Sequence, residues 1–130
     1  MPQRIMFVTD SAANERLIAA LEEHGFAVSR ATPLMATEAS PATPDLIVLD
    51  VLGASEGLEL LKEIRARSDL KTASVLVLAE WGTGQATLAL TNGADAFEPK
   101  PIDAQRLIAA VDRFLRPRFV MTAAGQYRER

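Results

Sequence analysis

The stretch Asp45–Gly57, DLIVLDVLGASEG, decides the fold. Leu46, Ile47, Val48 and Leu49 form a continuous apolar run, and Val51 carries it past a single acid, Asp50. Pro44 stands before the run and Gly53 after it. A short, uninterrupted run of Leu, Ile and Val between such residues reads as a strand, Asp45 to Val51, with both faces covered. Strands of that kind belong to parallel sheets that carry helices on either side. A carboxylate at the end of such a strand is costly if buried and unpaired, so Asp50 calls for partners.

Outward from this strand, apolar runs and helical periods alternate. Residues 4–9, RIMFVT, form a second short run that ends at Asp10. In residues 11–25, Leu17, Ile18 and Leu21 share one helical face, with Ser11 as N-cap and Gly25 as the stop. Residues 26–31 alternate as a strand, and 33–40 form a weak helix before Pro41 and Pro44. Residues 56–67 are helical, with Leu58, Leu61 and Ile64 facing inward. SVLVLA, residues 74–79, is another continuous strand. Residues 85–92 make a small-residue helix closed by Gly93, and 94–97 a short strand leading into EPKP. Asp103 caps a last helix carrying Leu107, Ile108, Val111 and Leu115, and Pro117 stops it. Five strand–helix alternations predict an α/β, doubly wound, five-stranded parallel sheet. One domain is expected over residues 1–117. Residues 118–130 show no clean period and read as a loose tail or a docking element.

Composition bounds the function. The 130 residues are 48% hydrophobic and 24% charged, enough for a globular core. A net charge of -3 gives no broad electrostatic reason to bind nucleic acid or an anionic membrane. No segment approaches the roughly 20 apolar residues of a membrane span, and the N-terminus does not read as a signal peptide, so a cytoplasmic domain is expected. The absence of cysteine removes disulfide and thiolate chemistry. One histidine and no cysteine leave no hydrolase triad. TDSAANE after the first strand contains no glycine, which speaks against flavin, dinucleotide and P-loop phosphate cradles. No enzyme activity is expected.

In a doubly wound sheet, ligands bind beyond the carboxyl ends of the strands. Thr9 and Asp10, Asp50, Ala79 and Glu80, and Lys100 fall at those ends. Two carboxylates there favour a cation between them, and hard oxygen ligands at an open site suit Mg²⁺. Asp50 could then attack a phosphoryl group, and Lys100 stabilise charge on its oxygens. Glu80 reads as a solvated acid, with reach toward the metal as its alternative role. Trp81 sits where it could shield the site.

In these residues the chain resembles the receiver domain of two-component response regulators, over roughly residues 4–116. IMFVTDS, PDLIVLDV, GLELLKEIR and GADAFEPKPID carry the resemblance. It implies a flavodoxin-like (βα)5 receiver fold with strand order 2-1-3-4-5. It implies Asp50 as phosphoacceptor, and Asp10, Asp50 and the backbone carbonyl of Leu52 as Mg²⁺ ligands. Lys100 matches the phosphoryl-contacting lysine, and the bond to Pro101 is typically cis in such domains. Phe97 matches the switch aromatic. The expected partners are a histidine kinase or phosphotransfer protein, with a homodimer possible through the face of the fourth helix, fifth strand and fifth helix.

The chain departs from the family pattern at several of these points. Thr9 stands where a second acid is usual, and Ala79 where a strand-end Ser or Thr supplies a hydroxyl. The loop after Asp50, VLGASEG, lacks the family's proline and is a residue short, and EWGTGQ also looks one residue short. The alternative function is therefore a degenerate receiver that binds a protein partner regardless of phosphorylation. Chain length leads to the expectation of a stand-alone receiver or an excised module, with no DNA-binding output domain.

Overall fold

The computed structural model describes residues 3–36, 43–51, 53–115, 119–121 and 127–129. The elements run β1 (Arg4–Thr9), α1 (Glu15–Glu23), β2 (Ala27–Ala31), α2 (Pro33–Ala36), β3 (Leu46–Asp50), α3 (Ala54–Ala66), β4 (Ser74–Ala79), α4 (Thr83–Thr91), β5 (Ala96–Pro99) and α5 (Ala104–Leu115). The five strands form one sheet in the order β2-β1-β3-β4-β5, and every pairing is parallel. The fold class is the one the alternating pattern predicts, and the strand order the one the family resemblance implies.

Both faces of the sheet are covered, which is why its central strands are apolar throughout. Alternate residues feed two cores. Ile47, Leu49, Val75 and Val77 pack with Leu60, Leu61 and Ile64 of α3. Leu46, Val48, Leu76 and Leu78 join Ile5 and Phe7, Ile18 and Leu21 of α1, and Leu107, Val111 and Leu115 of α5. Each such side chain contributes about 1.5–3 kcal/mol by leaving water. Gly25 and Gly93 close α1 and α4 with φ of 105° and 110°, a backbone region open to glycine.

Some boundaries differ from the sequence reading. Phe26 precedes β2, and β3 excludes Asp45 and Val51. The first turn of the first helix is a 3-10 turn, Ala12–Asn14, with the Ser11 hydroxyl accepting from the Ala13 amide. β5 starts two residues later than expected. Ala94 is taken up by the turn that ends α4, its amide bonding Ala89 O at 3.0 Å. Asp95 is fixed side-on: its carboxylate accepts from the Val75 amide at 2.8 Å and from Arg65 at 2.7 Å. Arg65 also donates to Gly93 O and Ala73 O, each at 2.7 Å, so one guanidinium of α3 ties the starts of β4 and β5 together. The helix expected over 33–40 is seen as α2, and residues 37–40 lie outside the described residues. In the C-terminal segment, where no regular element was expected, β6 (Phe119–Met121) and β7 (Tyr127–Glu129) pair antiparallel. Phe119 and Val120 in one and Tyr127 in the other favour extended backbone.

Candidate functional site

Asp50 ends β3 and is 2% exposed, as the apolar strand that carries it dictates. Parallel register sets Thr9 of β1 directly beside it. Its charge is met from two directions. Lys100 Nζ donates to both carboxylate oxygens at 3.1 Å. The Asn14 side-chain amide donates to Oδ2 at 2.5 Å. The burial that makes Asp50 costly alone is thus offset by one cation and one neutral donor.

Backbone geometry explains why Lys100 reaches Asp50. β5 runs parallel to β4 with Pro99 opposite Ala79, and the Lys100 amide donates to Ala79 O at 3.1 Å. The Lys100–Pro101 bond is cis. Ala79 therefore helps place the lysine through its carbonyl, while its methyl side chain supplies no hydroxyl to the site. Thr9 is held locally: its Oγ1 accepts from the Ser11 amide and from Asn14 Nδ2, both at 3.0 Å.

The other predicted residues occupy distinct surroundings. Asp10 is exposed, and its carboxylate has no hydrogen-bond or ion-pair partner among the described residues. Glu80 is likewise exposed. Leu52, expected to offer a backbone carbonyl, lies outside the described residues. Among the described residues no group of three or more His, Cys, Asp or Glu is arranged to hold a metal. Mg²⁺ asks for less: one or two carboxylates, retained waters and substrate phosphate oxygens. Asp50 with the unpartnered Asp10 meets that donor chemistry.

Phe97 and Trp81 form a second group. Their ring centroids are 5.9 Å apart at 47°, and both pack on the core under α3. The Trp81 ring lies against Gly57 of α3, where a Cβ would overlap it. Its indole Nε1 is buried and has no hydrogen-bond partner among the described residues. Trp81 is therefore a wedge between α3 and β5 rather than a loose loop aromatic.

Sequence reasoning missed Asn14. It lies four residues before Ile18 and seven before Leu21, so it shares their inward helical face. A polar residue at an inward position was the available signal, since such a group needs a buried partner.

Residues 5–112 match the family model described as the response regulator receiver domain. The chain is 32% identical over 135 residues to response regulator MprA of Mycolicibacterium vanbaalenii, a match covering 97% of this chain and 56% of that protein. It thus spans about half the length of that relative. A solved signal receiver domain of a signal transduction histidine kinase from Syntrophus aciditrophicus superposes with a TM-score of 0.75 at 31% identity, over 87% of this chain and 89% of that one. A response regulator protein from Burkholderia pseudomallei, solved with a phosphorylated aspartic acid, a calcium ion and citrate, gives a TM-score of 0.69 at 25% identity, over 83% and 65% of the two chains.

Proposed function

The chain belongs to the response regulator receiver domain family, and on that premise we propose that Asp50 accepts a phosphoryl group from a histidine kinase or phosphotransfer protein. The observation that carries the proposal is the buried Asp50 with Lys100 on both of its oxygens. A carboxylate oxygen attacks phosphorus as the P–N bond of a phosphohistidine breaks, and the imidazole leaves with a proton from solvent. Rigid attachment to β3 removes the entropy of orienting the nucleophile. Lys100 provides positive charge where the phosphoryl oxygens arrive. The domain so read is a signalling switch in the cytoplasm rather than an enzyme that turns over a substrate.

Asp50 and Asp10 are the side chains that would hold Mg²⁺, with the Leu52 carbonyl as the ligand the family implies. When bound, the ion offsets negative charge on the phosphoryl oxygens. The calcium ion and phosphorylated aspartic acid of the Burkholderia pseudomallei protein support this chemistry by analogy. Incubation with acetyl phosphate and Mg²⁺, followed by intact mass, tests the proposal. The chain should gain one phosphoryl group, and Asp50→Asn none; no gain in the wild type overturns it.

Two features support a second reading, a receiver that binds its partner irrespective of phosphorylation. Ala79 supplies no hydroxyl to couple Asp50 to Phe97, and Trp81 already packs on Phe97. α4 carries no charged residue and exposes Leu88 and Leu90, a surface suited to an apolar partner or a second copy of the chain. A change in partner affinity or oligomeric state on adding beryllofluoride, which mimics the phosphoryl group, counts against this reading.

A further inference from the structure

Asn14 is the buried polar side chain that the proposed reaction leaves without a role. It is 3% exposed, and Asn14 and Asp50 are the only buried polar or charged residues in the described core. Its Nδ2 faces two acceptors, Asp50 Oδ2 at 2.5 Å and Thr9 Oγ1 at 3.0 Å. Two hydrogens on one amide nitrogen meet two acceptors, so its donor capacity is used in full. The reverse orientation would set the amide oxygen against a carboxylate, acceptor to acceptor. Thr9 Oγ1 is itself oriented, accepting from the Ser11 amide and donating to Ser11 O at 3.3 Å. The Asn14 amide is thereby fixed as a donor toward the acceptor carboxylate.

This bond bears on the residue expected to bind a cation and attack phosphorus. A donor hydrogen on a carboxylate oxygen occupies a lone pair and withdraws charge from it. We propose that Asn14 is a latch on Asp50: its amide holds the carboxylate in a resting arrangement and must release Oδ2 before Asp50 engages Mg²⁺ or a phosphoryl group. The inference rests on the reading of Asp50 as acceptor and adds a residue that sets its threshold. Thr9 contributes by carrying no charge. A carboxylate there would draw the cation in, whereas its hydroxyl steadies the amide that opposes it. Asn14 is a positioning residue, acting through Asp50 rather than on the reacting atoms.

The latch predicts a gain on its removal. Asn14→Leu keeps the γ-branched shape in a larger side chain and lacks the donor; Asn14→Ala covers the case that leucine does not fit. Mg²⁺ affinity of the full chain is read by isothermal titration calorimetry, and acetyl phosphate labelling by intact mass. Both variants should bind Mg²⁺ roughly tenfold more tightly, at the lower end of what a hydrogen bond to a charged group contributes. Labelling should be faster in proportion. A fold defect alone weakens cation binding, so tightening cannot come from instability. Unchanged or weaker Mg²⁺ binding in a variant with a cooperative urea transition overturns the latch. The acceptor reading survives that result if the wild type still takes up a phosphoryl group. A wild type that neither binds Mg²⁺ nor takes up a phosphoryl group ends both.

Discussion

Gly57 and Trp81 offer a perturbation whose sign the structure sets. Gly57 lies inside α3, where alanine is favoured over glycine by about 1 kcal/mol. A Cβ at that position, however, would overlap Cζ2 and Cη2 of the Trp81 ring and stand 3.5 Å from Cε2. The ring must then shift against Phe97 and the core under α3, and overpacking of this kind costs about 1–3 kcal/mol. Gly57→Ala should therefore be neutral to destabilising by up to about 2 kcal/mol when Trp81 is present. With Trp81→Ala in the background the obstacle is gone, and the same substitution should stabilise by about 0.5–1 kcal/mol. The predicted coupling in this double-mutant cycle is about 1–3 kcal/mol, measured by urea denaturation of the four proteins. Trp81 is the chain's one tryptophan, so its emission should move to the red in Gly57→Ala as the ring leaves its seat. Equal stabilisation by Gly57→Ala in both backgrounds would refute the wedge.

Lys100→Met should destabilise by about 3 kcal/mol, the lower end for a broken buried pair because Lys100 is partly exposed, since it leaves the buried Asp50 charge with Asn14 alone. Adding Asp50→Asn should recover most of that loss, both read from urea midpoints. Arg65→Ala should cost about 2–3 kcal/mol in the same assay, since Gly93 O, Ala73 O and Asp95 lose a charged donor together. Hydrogen bonds from Arg30 and Arg67 hold the Glu15 and Asp69 carboxyls below their ordinary values. Depressed values mean that these pairs stabilise the fold above roughly pH 4–5 and stop doing so as pH falls through the carboxylate range. Urea midpoints measured downward from pH 6 should fall through that window. Both carboxylates are exposed, so high salt should flatten the slope.

The fold was legible because burial leaves a plain mark on the chain. Continuous apolar runs at 46–49 and 74–79 belong to strands covered on both faces, and the helical stripes between them match the two cores. Boundaries were less legible where a turn is fixed by long-range contacts. The late start of β5 depends on Arg65 and Asp95, thirty residues apart, which no local pattern reveals. At the site, Asp50 and Lys100 could be paired from their positions at strand ends. Asn14 escaped notice because the reading of residues 11–25 attended to apolar residues and passed over a polar one on the same face. Trp81 was placed near the site by its position after β4. Its seat against Gly57 needed three-dimensional contact between α3 and the loop after β4.

The acceptor assignment is tested most directly by Mg²⁺ affinity measured with and without beryllofluoride. If Asp50 receives the phosphoryl group with Lys100 and a cation as counter-charges, beryllofluoride should tighten Mg²⁺ binding in the wild type. Asp50→Asn should show no such coupling. Equal Mg²⁺ affinity in the presence and absence of beryllofluoride, in the wild-type chain, would contradict it.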